Sequence, residues 1–218
     1  MKQKTLFIVA AIALLLVFVV GTLLYTAEKT EQSTQLADAN QDALVRMYSP
    51  TLGKQDAPVV IVEFLDPACE TCKNFYPRVK ELMAAHPDQI RLVLRYTPFH
   101  DGSDKVVAVL EAARKQGKFW PALEALLATQ SEWAPHHRAE VDLVWPHLEG
   151  LGLNLEQVKI DMAAPEIADL IAQDLADANT LNVTKTPDFF VNGKPLPSFG
   201  FEQLRNLVDE ALNNAQRR

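Results

Sequence analysis

The feature that most limits the fold is a pair of cysteines placed where a buried strand gives way to a helix. Residues 59–65 form a β-branched, apolar run that predicts a buried strand. From Cys69 to about Ala85 the apolar residues recur at helical spacing, and residues 89–96 predict a second strand. A strand, a helix and a strand in this order predict a right-handed βαβ unit with parallel strands. We therefore expect an α/β fold in which Cys69 and Cys72 lie at the start of the first helix.

Cys69 and Cys72 enclose the dipeptide Glu70-Thr71 and are the only two cysteines of the chain. The unpaired N–H groups and the dipole at a helix N-terminus stabilise a thiolate, which is the reactive form in disulfide exchange. Cys72 follows within one helical turn, so it can attack a mixed disulfide at Cys69 and release the partner. The pattern predicts redox catalysis by this pair.

Other interpretations of the cysteine pair stay open. A static disulfide across two residues would close too small a loop to restrain much of the unfolded chain. A zinc site would need two further ligands, and none of the five histidines lies at finger-like spacing from the cysteines. We predict no metal site, although two thiolates would also suit Cu(I), a soft ion.

A second motif lies far along the chain, where residues 186–193 read Thr-Pro-Asp-Phe-Phe-Val-Asn-Gly. Here a proline directly precedes an apolar strand and a hairpin turn; on its own, it is typical of an ordinary strand-leading proline. Glu63 is the one acidic residue in the first strand. A buried carboxylate is costly and its pKa rises, so Glu63 either points to solvent or has a function.

The order of these parts resembles the thioredoxin superfamily: strand, CxxC at a helix start, helix, strand, helical stretch, then Thr-Pro before a strand. The helical stretch between the two halves resembles the DsbA-like branch of exported thiol–disulfide oxidoreductases. The resemblance covers about residues 49–214. It implies a thioredoxin fold with an inserted α-helical domain.

The same resemblance assigns roles to site residues. It implies a cis peptide bond before Pro187, with Thr186 and Pro187 holding the backbone of a substrate peptide. It implies that Glu63 accepts and donates the proton of Cys72. It also implies that no bound cofactor is needed, because electrons move through the cysteines.

The dipeptide Glu70-Thr71 departs from the resemblance. Strongly oxidising members of the branch usually carry a histidine on the side nearer the second cysteine, where this chain has Thr71. The charge of Glu70 is expected to raise the pKa of Cys69, since a like charge disfavours the thiolate. A less stable thiolate would make the protein a weaker oxidant.

The N-terminus carries an apolar segment at residues 6–25. At ~1.5 Å per residue a helix of this length reaches ~30 Å, the thickness of a bilayer core. Lys2 and Lys4 precede it, which predicts a cytoplasmic N-terminus and an exported remainder. A cleaved signal peptide is the alternative, but Tyr25 makes a poor cleavage site because it is bulky. We expect an uncleaved anchor in a bacterial inner membrane.

The expected organisation has five parts. They are a membrane anchor at 1–25, a polar stalk at 26–48 that reads as a solvated tether, a first thioredoxin half at 49–99, a helical insertion at 100–180 and a second half with the cis-proline loop at 181–218. Within the insertion, the pattern predicts one helix over Arg138–Glu149. The content of 48% hydrophobic residues excludes a disordered chain.

Together these features predict a membrane-anchored thiol–disulfide oxidoreductase on the periplasmic or extracytoplasmic side. The expected partners are proteins with thiols or disulfides and a membrane redox partner that resets the cysteine pair. The net charge of −7 argues against nucleic acid as a partner. The direction of exchange stays open among oxidase, reductase and isomerase. A Cu(I)-binding protein and a redox-inactive binding module are the alternatives.

Overall fold

The structure is a computed structural model that describes the backbone of residues 2–217 and the side chains of residues 7–217. The side chains of Lys2 and Lys4, on which the predicted membrane orientation depends, lie outside the described residues. So do Met1, with which the predicted anchor begins, and Arg218.

The chain begins with helices and continues as the predicted strand–helix–strand unit. Its first elements are α1 (Lys2–Ala39), α2 (Gln41–Leu44), β1 (Thr51–Leu52), β2 (Val59–Leu65), α3 (Glu70–Ala85) and β3 (Ile90–Tyr96). The middle is helical and comprises α4 (Ser103–Lys115), α5 (Phe119–Ala128), α6 (Gln130–Trp133), α7 (Trp145–Leu148), α8 (Leu155–Asp161) and α9 (Pro165–Thr180). The chain ends with β4 (Asp188–Val191), β5 (Lys194–Pro195) and α10 (Phe201–Gln216).

The five strands form one mixed sheet in the order β1-β3-β2-β4-β5. β2 and β3 run parallel with Val59 opposite Ile90 and Leu65 opposite Tyr96, so the predicted parallel unit is confirmed. β4 pairs antiparallel with the other edge of β2, and the short strands β1 and β5 are the two edge strands of the sheet. The sequence analysis did not predict β1.

Side chains alternate between the two faces of the sheet, and each face is covered by helices. Ile61 and Leu65 of β2 lie in a core shared with α3, α10 and the helical insertion. Val62 and Phe64 lie in a second core on the opposite face, against α9. Because successive strand residues point to opposite faces, Glu63 belongs to the face that is covered by α3.

The segment 26–48, expected to be a solvated tether, is partly buried on the domain instead. α1 continues as a helix to Ala39, and the side chain of Ala37 is fully buried. Ala43 and Leu44 of α2 join the second core beside Phe190. Alanines allow a helix to approach the sheet closely, and a search for large apolar residues overlooks them. The boundaries at 99/100 and 180/181 stay predictions.

The single helix expected over Arg138–Glu149 is absent from the described residues, and this prediction is wrong. Short 3₁₀ turns at Pro135–His137 and Val141–Leu143 lead into α7, which has four residues. Pro146 is the physical reason, because proline has no N–H to donate to a preceding turn and is therefore accepted only in the first turn of a helix, where α7 begins.

A buried ion network ties β3 to α9 and to the N-terminal segment. Arg95 is fully buried, and its Nη2 lies 2.7 Å from Asp174 Oδ1 and 2.6 Å from Asp177 Oδ2. Arg46 forms a two-pronged pair with Asp177, at 2.8 and 2.6 Å. The Tyr48 hydroxyl donates to Asp174 Oδ1 at 2.7 Å. The last residues of the predicted stalk are thereby held on the sheet.

Removing one partner of this network should destabilise the fold, because the remaining charges stay buried without compensation. We expect Arg95→Met to lower the free energy of unfolding by ~3–5 kcal/mol. The measurement is guanidinium unfolding of the full chain in detergent, followed by tryptophan fluorescence. Lys54→Met is the matched control, since the pair of Lys54 with Asp88 is exposed and its loss should be immaterial. Equal effects of both substitutions would contradict this prediction.

Candidate active site

The cysteine pair lies where β2 ends and α3 begins. Cys69 is the residue before the first turn of α3, and Cys72 lies within that turn. The backbone N–H of Cys69 donates to the Asp66 carbonyl at 3.0 Å, which closes the turn between strand and helix. Both cysteines are free, so the structure describes the dithiol form.

The two thiols have opposite environments. The pKa of Cys69 is lowered to about 5 by hydrogen bonds, the strongest from the Cys72 side chain and others from Thr186 and the backbone N–H groups of Cys72 and Thr71, although burial acts against them. Burial raises the pKa of Cys72 well above that of a free thiol, and the hydrogen bond to Cys69 and the charges of Cys69 and Glu63 raise it further. At neutral pH Cys69 is therefore the thiolate and Cys72 the thiol.

The segment with Thr186 and Pro187, which precedes β4, contacts the cysteine pair at the end of β2. The peptide bond between Thr186 and Pro187 is cis, and Pro187 is buried. The carbonyl oxygen of Thr186 lies 3.3 Å from Cys69 Sγ and accepts a hydrogen bond from it when Cys69 is protonated. Two residues separated by more than a hundred positions in the chain are thus in direct contact, because β4 pairs with β2.

Glu63 is completely buried, so the solvent-facing alternative is wrong. Its neighbours in the sheet are Leu94 and Phe189. Neither carboxyl oxygen has a hydrogen-bond partner among the described residues. Burial and, after it, the negative charge of Cys69 raise the pKa of Glu63 from 4.5 to about 8. The result is a carboxyl group that can change protonation state near neutral pH.

Glu70 and Thr71 differ in how they reach Cys69. Glu70 is exposed at the start of α3. Thr71 acts through its backbone N–H, which lowers the pKa of Cys69. The sequence predicted a less stable thiolate at Cys69. In the structure, several hydrogen-bond donors converge on the sulfur atom of Cys69 and lower its pKa. The effect of the Glu70 charge itself stays a prediction.

Asp66, which was not among the predicted site residues, organises the loop before Cys69. Its buried carboxylate accepts from the Ala68 N–H at 2.8 Å and from the hydroxyl of Ser103. It also accepts from the His100 N–H at 2.9 Å and contacts His100 Nδ1 at 2.6 Å. The available signal was the position of Asp66 at a strand end, a common place for a side chain that closes a turn.

Gln130 of α6 is a second residue that the sequence analysis missed. It is buried, and its side-chain amide donates to the carbonyl of Pro67 at 2.7 Å and to that of Cys69 at 3.0 Å. The helical insertion thus binds the backbone of the turn that leads from β2 to Cys69. No local pattern marks Gln130, because its partners are more than sixty positions away.

A metal centre would need additional ligands. Among residues 2–217, as far as they are described, no group of three or more His, Cys, Asp and Glu side chains is arranged to hold a metal ion. The described chemistry of the site is that of two thiols, one carboxyl group and converging hydrogen-bond donors.

Comparison with known proteins assigns the chain to a family. A family model described as thioredoxin matches residues 46–210. A thioredoxin-like oxidoreductase from Silicibacter pomeroyi has 34% sequence identity and a TM-score of 0.68, over 80% of this chain and 98% of that one. The Wolbachia pipientis protein alpha-DsbA1 shares the fold, with 20% identity and a TM-score of 0.70 over 81% of this chain and 97% of that one. A probable disulfide bond formation protein D of Bacillus anthracis is 29% identical, over 97% of both chains.

Other relatives are much longer. A Na⁺/H⁺ antiporter NhaA of Herminiimonas arsenicoxydans is 31% identical over 144 residues, which are 66% of this chain. The chain spans only about a fifth of that relative's length (22%). The resemblance inferred from the two motifs is confirmed by the family match. The chain therefore belongs to the thioredoxin family.

Proposed function

We propose that this protein is a membrane-anchored enzyme that exchanges disulfides with protein substrates on the extracytoplasmic side, through Cys69 and Cys72. The observation that carries the proposal is the opposite ionisation of the two thiols. Cys69 is a thiolate at neutral pH, and the buried Cys72 keeps its proton. A pair arranged in this way has one sulfur atom for attack and one for resolution.

In the direction that reduces a substrate, the Cys69 thiolate attacks a substrate disulfide. A sulfur–sulfur bond forms between Cys69 and the substrate, and the other substrate sulfur leaves as a thiolate. Cys72 then loses its proton and attacks Cys69 Sγ, which forms the enzyme disulfide and releases the second substrate thiolate. Oxidation of a substrate is the same sequence in reverse, so two electrons move either way and no other carrier enters.

Glu63 is suited to take the proton of Cys72. Its charge raises the pKa of Cys72, which shows that the two side chains are close enough to interact. Because the pKa of Glu63 is raised to about 8, the carboxyl group can both accept and return a proton near neutral pH. A buried acid without hydrogen-bond partners is unfavourable for stability, which supports a catalytic reason for its presence.

Thr186 and Pro187 are suited to hold the substrate backbone beside Cys69. Thr186 is half-buried and adjacent to the reactive sulfur, whereas Pro187 is buried. Proline has no N–H, so Pro187 itself donates no backbone hydrogen bond at this point of the loop. This assignment follows the family resemblance and the contact of Thr186 with Cys69.

The N-terminal helix supports the membrane part of the proposal. The side chains of 7–25 on α1 are exposed, and the helix is long and apolar enough to cross a membrane. With residues 1–25 as a single-pass anchor in a bacterial inner membrane, the catalytic domain would lie on the periplasmic side. A membrane redox partner would then reset the cysteine pair after each turnover.

The direction of exchange follows from the thiolate. Hydrogen bonds that stabilise the Cys69 thiolate stabilise the reduced enzyme, and a stable reduced form makes the disulfide a stronger oxidant. The pKa of about 5 at Cys69 therefore favours donation of a disulfide, in spite of Glu70 next to it.

Titration of the reduced enzyme should detect the Cys69 thiolate directly. We expect thiolate absorbance near 240 nm to appear with a midpoint of about pH 5. In Cys72→Ala the midpoint should rise by ~1 pH unit or more, because the strongest hydrogen bond to Cys69 is lost. Cys69→Ala is the control and should show no transition at acidic pH. A wild-type midpoint near that of a free thiol would contradict the description of the site.

The reduction potential tests the proposed function. Equilibration of the full chain in detergent with glutathione should give a reversible two-electron transition. We expect a value nearer to about −120 mV, typical of strong oxidants, than to about −270 mV, typical of thioredoxin. A value at the lower end would instead identify a reductant. The absence of any reversible transition would overturn the redox function.

Glu63→Gln should slow the resolving step, because Gln fills the same space but cannot accept a proton. We expect release of a preformed mixed disulfide at neutral pH to fall by about 10²-fold, measured as a single turnover. The defect should shrink at high pH, where Cys72 ionises without help. Glu81→Gln, which removes an exposed charge from the later part of α3, should leave the rate unchanged. Similar rates in wild type and Glu63→Gln would exclude Glu63 as the proton acceptor.

The pH dependence of the free energy of unfolding gives an independent check that the Glu63→Gln variant folds. The folded state raises the pKa of Glu63 from 4.5 to about 8, so the protonated form is preferred in the native protein. This contribution is complete below about pH 4.5 and is lost as the pH rises through about 8. Unfolding of wild type should therefore become easier over that window, and the Gln variant should lack this part of the pH dependence.

A further inference from the structure

The apolar part of α1 and the catalytic domain are joined by continuous helix. α1 runs without interruption from the apolar residues 7–25 to Ala39. Its far end is held on the domain by the buried Ala37 and by a contact of the Thr30 hydroxyl with the Pro197 carbonyl, at 3.4 Å. A helix that is packed on the domain at one end and embedded in a membrane at the other leaves no flexible linker. It would therefore hold the domain at a set distance from the membrane.

That distance is short. Thr30, which already contacts the domain, lies five positions after Tyr25, the last residue of the apolar segment. At ~1.5 Å per residue the separation along the helix is only ~7.5 Å. The part of the domain that touches α1 would therefore lie within the headgroup layer or directly above it.

A groove between α1 and the domain is lined in part by Lys185 and Asp188, the residues on either side of Thr186 and Pro187. One wall carries Tyr25, Thr26 and Lys29 of α1, and the other carries Lys185 and Phe199. We call these five residues the membrane-facing rim. Lys185 is the residue directly before Thr186, whose carbonyl contacts Cys69 Sγ. The rim is thus separated from the reactive sulfur by a single loop.

The chemistry of the rim suits a lipid headgroup layer. Lys29 and Lys185 are exposed cations, and the Lys185 ammonium lies 5.1 Å from the centre of the Phe199 ring. Phe199 is 41% exposed although it is large and apolar. Tyrosine and lysine are typical of membrane–water boundaries, where an aromatic body and a cation both find partners.

The negative groups near the rim do not cancel its cations. Asp188 also lines the groove, but burial raises its pKa, which disfavours its charge. Glu28 and Glu31 are exposed on α1 and do not line the groove. The overall negative charge of the chain would repel an anionic membrane elsewhere, so Lys29 and Lys185 would orient the domain.

We propose that the membrane-facing rim lies against the lipid headgroups, so that α1 holds Cys69 at a fixed height just above the bilayer. The proposal rests on the membrane anchoring that is part of the proposed function. Its consequence is a substrate class, because Cys69 would act on cysteines in membrane-proximal segments of other proteins. A domain on a solvated tether would instead sample all heights.

Quenching of a tryptophan in the rim measures its contact with lipid. Phe199→Trp in the full chain is reconstituted into vesicles of phosphatidylcholine and phosphatidylglycerol, with or without bromine near the top of the acyl chains. We expect the added emission to be largely lost with brominated lipid. Ile160→Trp is the matched control, because Ile160 is 67% exposed on α8, far along the chain from the rim, and should keep its emission. Wild type supplies the background of Trp120, Trp133 and Trp145.

A linker variant separates this proposal from the proposed function. A flexible Gly-Ser insertion between Thr26 and Ala27 should restore the Phe199→Trp emission in brominated vesicles, because the domain is freed from the membrane. Exchange with oxidised glutathione should stay unchanged in that variant. Equal emission of Phe199→Trp in both kinds of vesicle, in protein that floats with the lipid and reacts with glutathione, would overturn the fixed height alone. Protein that does not float would refute the anchoring, and protein without exchange would refute the redox function.

Discussion

The position of β2 in the centre of the sheet is the constraint on which the site depends. β2 pairs with β3 on one side and with β4 on the other, so its end is held from both sides. The same pairing brings the loop before β4 to the end of β2, which places the Thr186 carbonyl 3.3 Å from Cys69 Sγ. A slip of the register by one residue would turn Glu63 away from α3 and towards the opposite core. The positions of the reactive sulfur, the cis-proline loop and the buried acid are therefore consequences of one set of strand pairings.

The chemistry of the cysteine pair comes from the different environments of Cys69 and Cys72, which lie within one helical turn of each other. Cys69 lies at the open end of α3, where several donors converge on its sulfur, and Cys72 lies inside the turn, where burial dominates. The helix end supplies donors that a helix interior has already used. Glu63 extends the contrast inward, because the same burial that keeps Cys72 protonated also keeps the carboxyl group close to neutral. Burial disfavours isolated charges. It therefore helps to keep Cys72 and Glu63 protonated, while hydrogen bonds keep Cys69 ionised.

The elements outside the thioredoxin core act on this site from two directions. Gln130 of the helical insertion holds the carbonyls of Pro67 and Cys69, and Asp66 gathers donors from the loop before α4. On the opposite face, Arg95 and its acidic partners fasten α9 and the N-terminal segment to β3. The sheet is therefore contacted by the helical insertion near the active-site turn and by α9 and the N-terminal segment on its opposite face.

Much of this protein was predictable from local patterns. Alternation and helical spacing predicted β2, α3 and β3, the CxxC predicted the redox pair, and the proline before β4 marked the second half of the fold. What the sequence could not determine depends on contacts between distant residues. The pKa of Cys69 reflects a hydrogen bond from the Thr186 side chain as well as those of its own turn, so the charge of Glu70 alone could not determine it. Gln130 and Ala37 carry no signal in the sequence, because an amide or a methyl group becomes important only through what it meets. Local periodicity determined the elements and the reactive groups, whereas only the tertiary structure decided their protonation and the docking of the N-terminal helix, since both arise from burial and from hydrogen bonds across the fold.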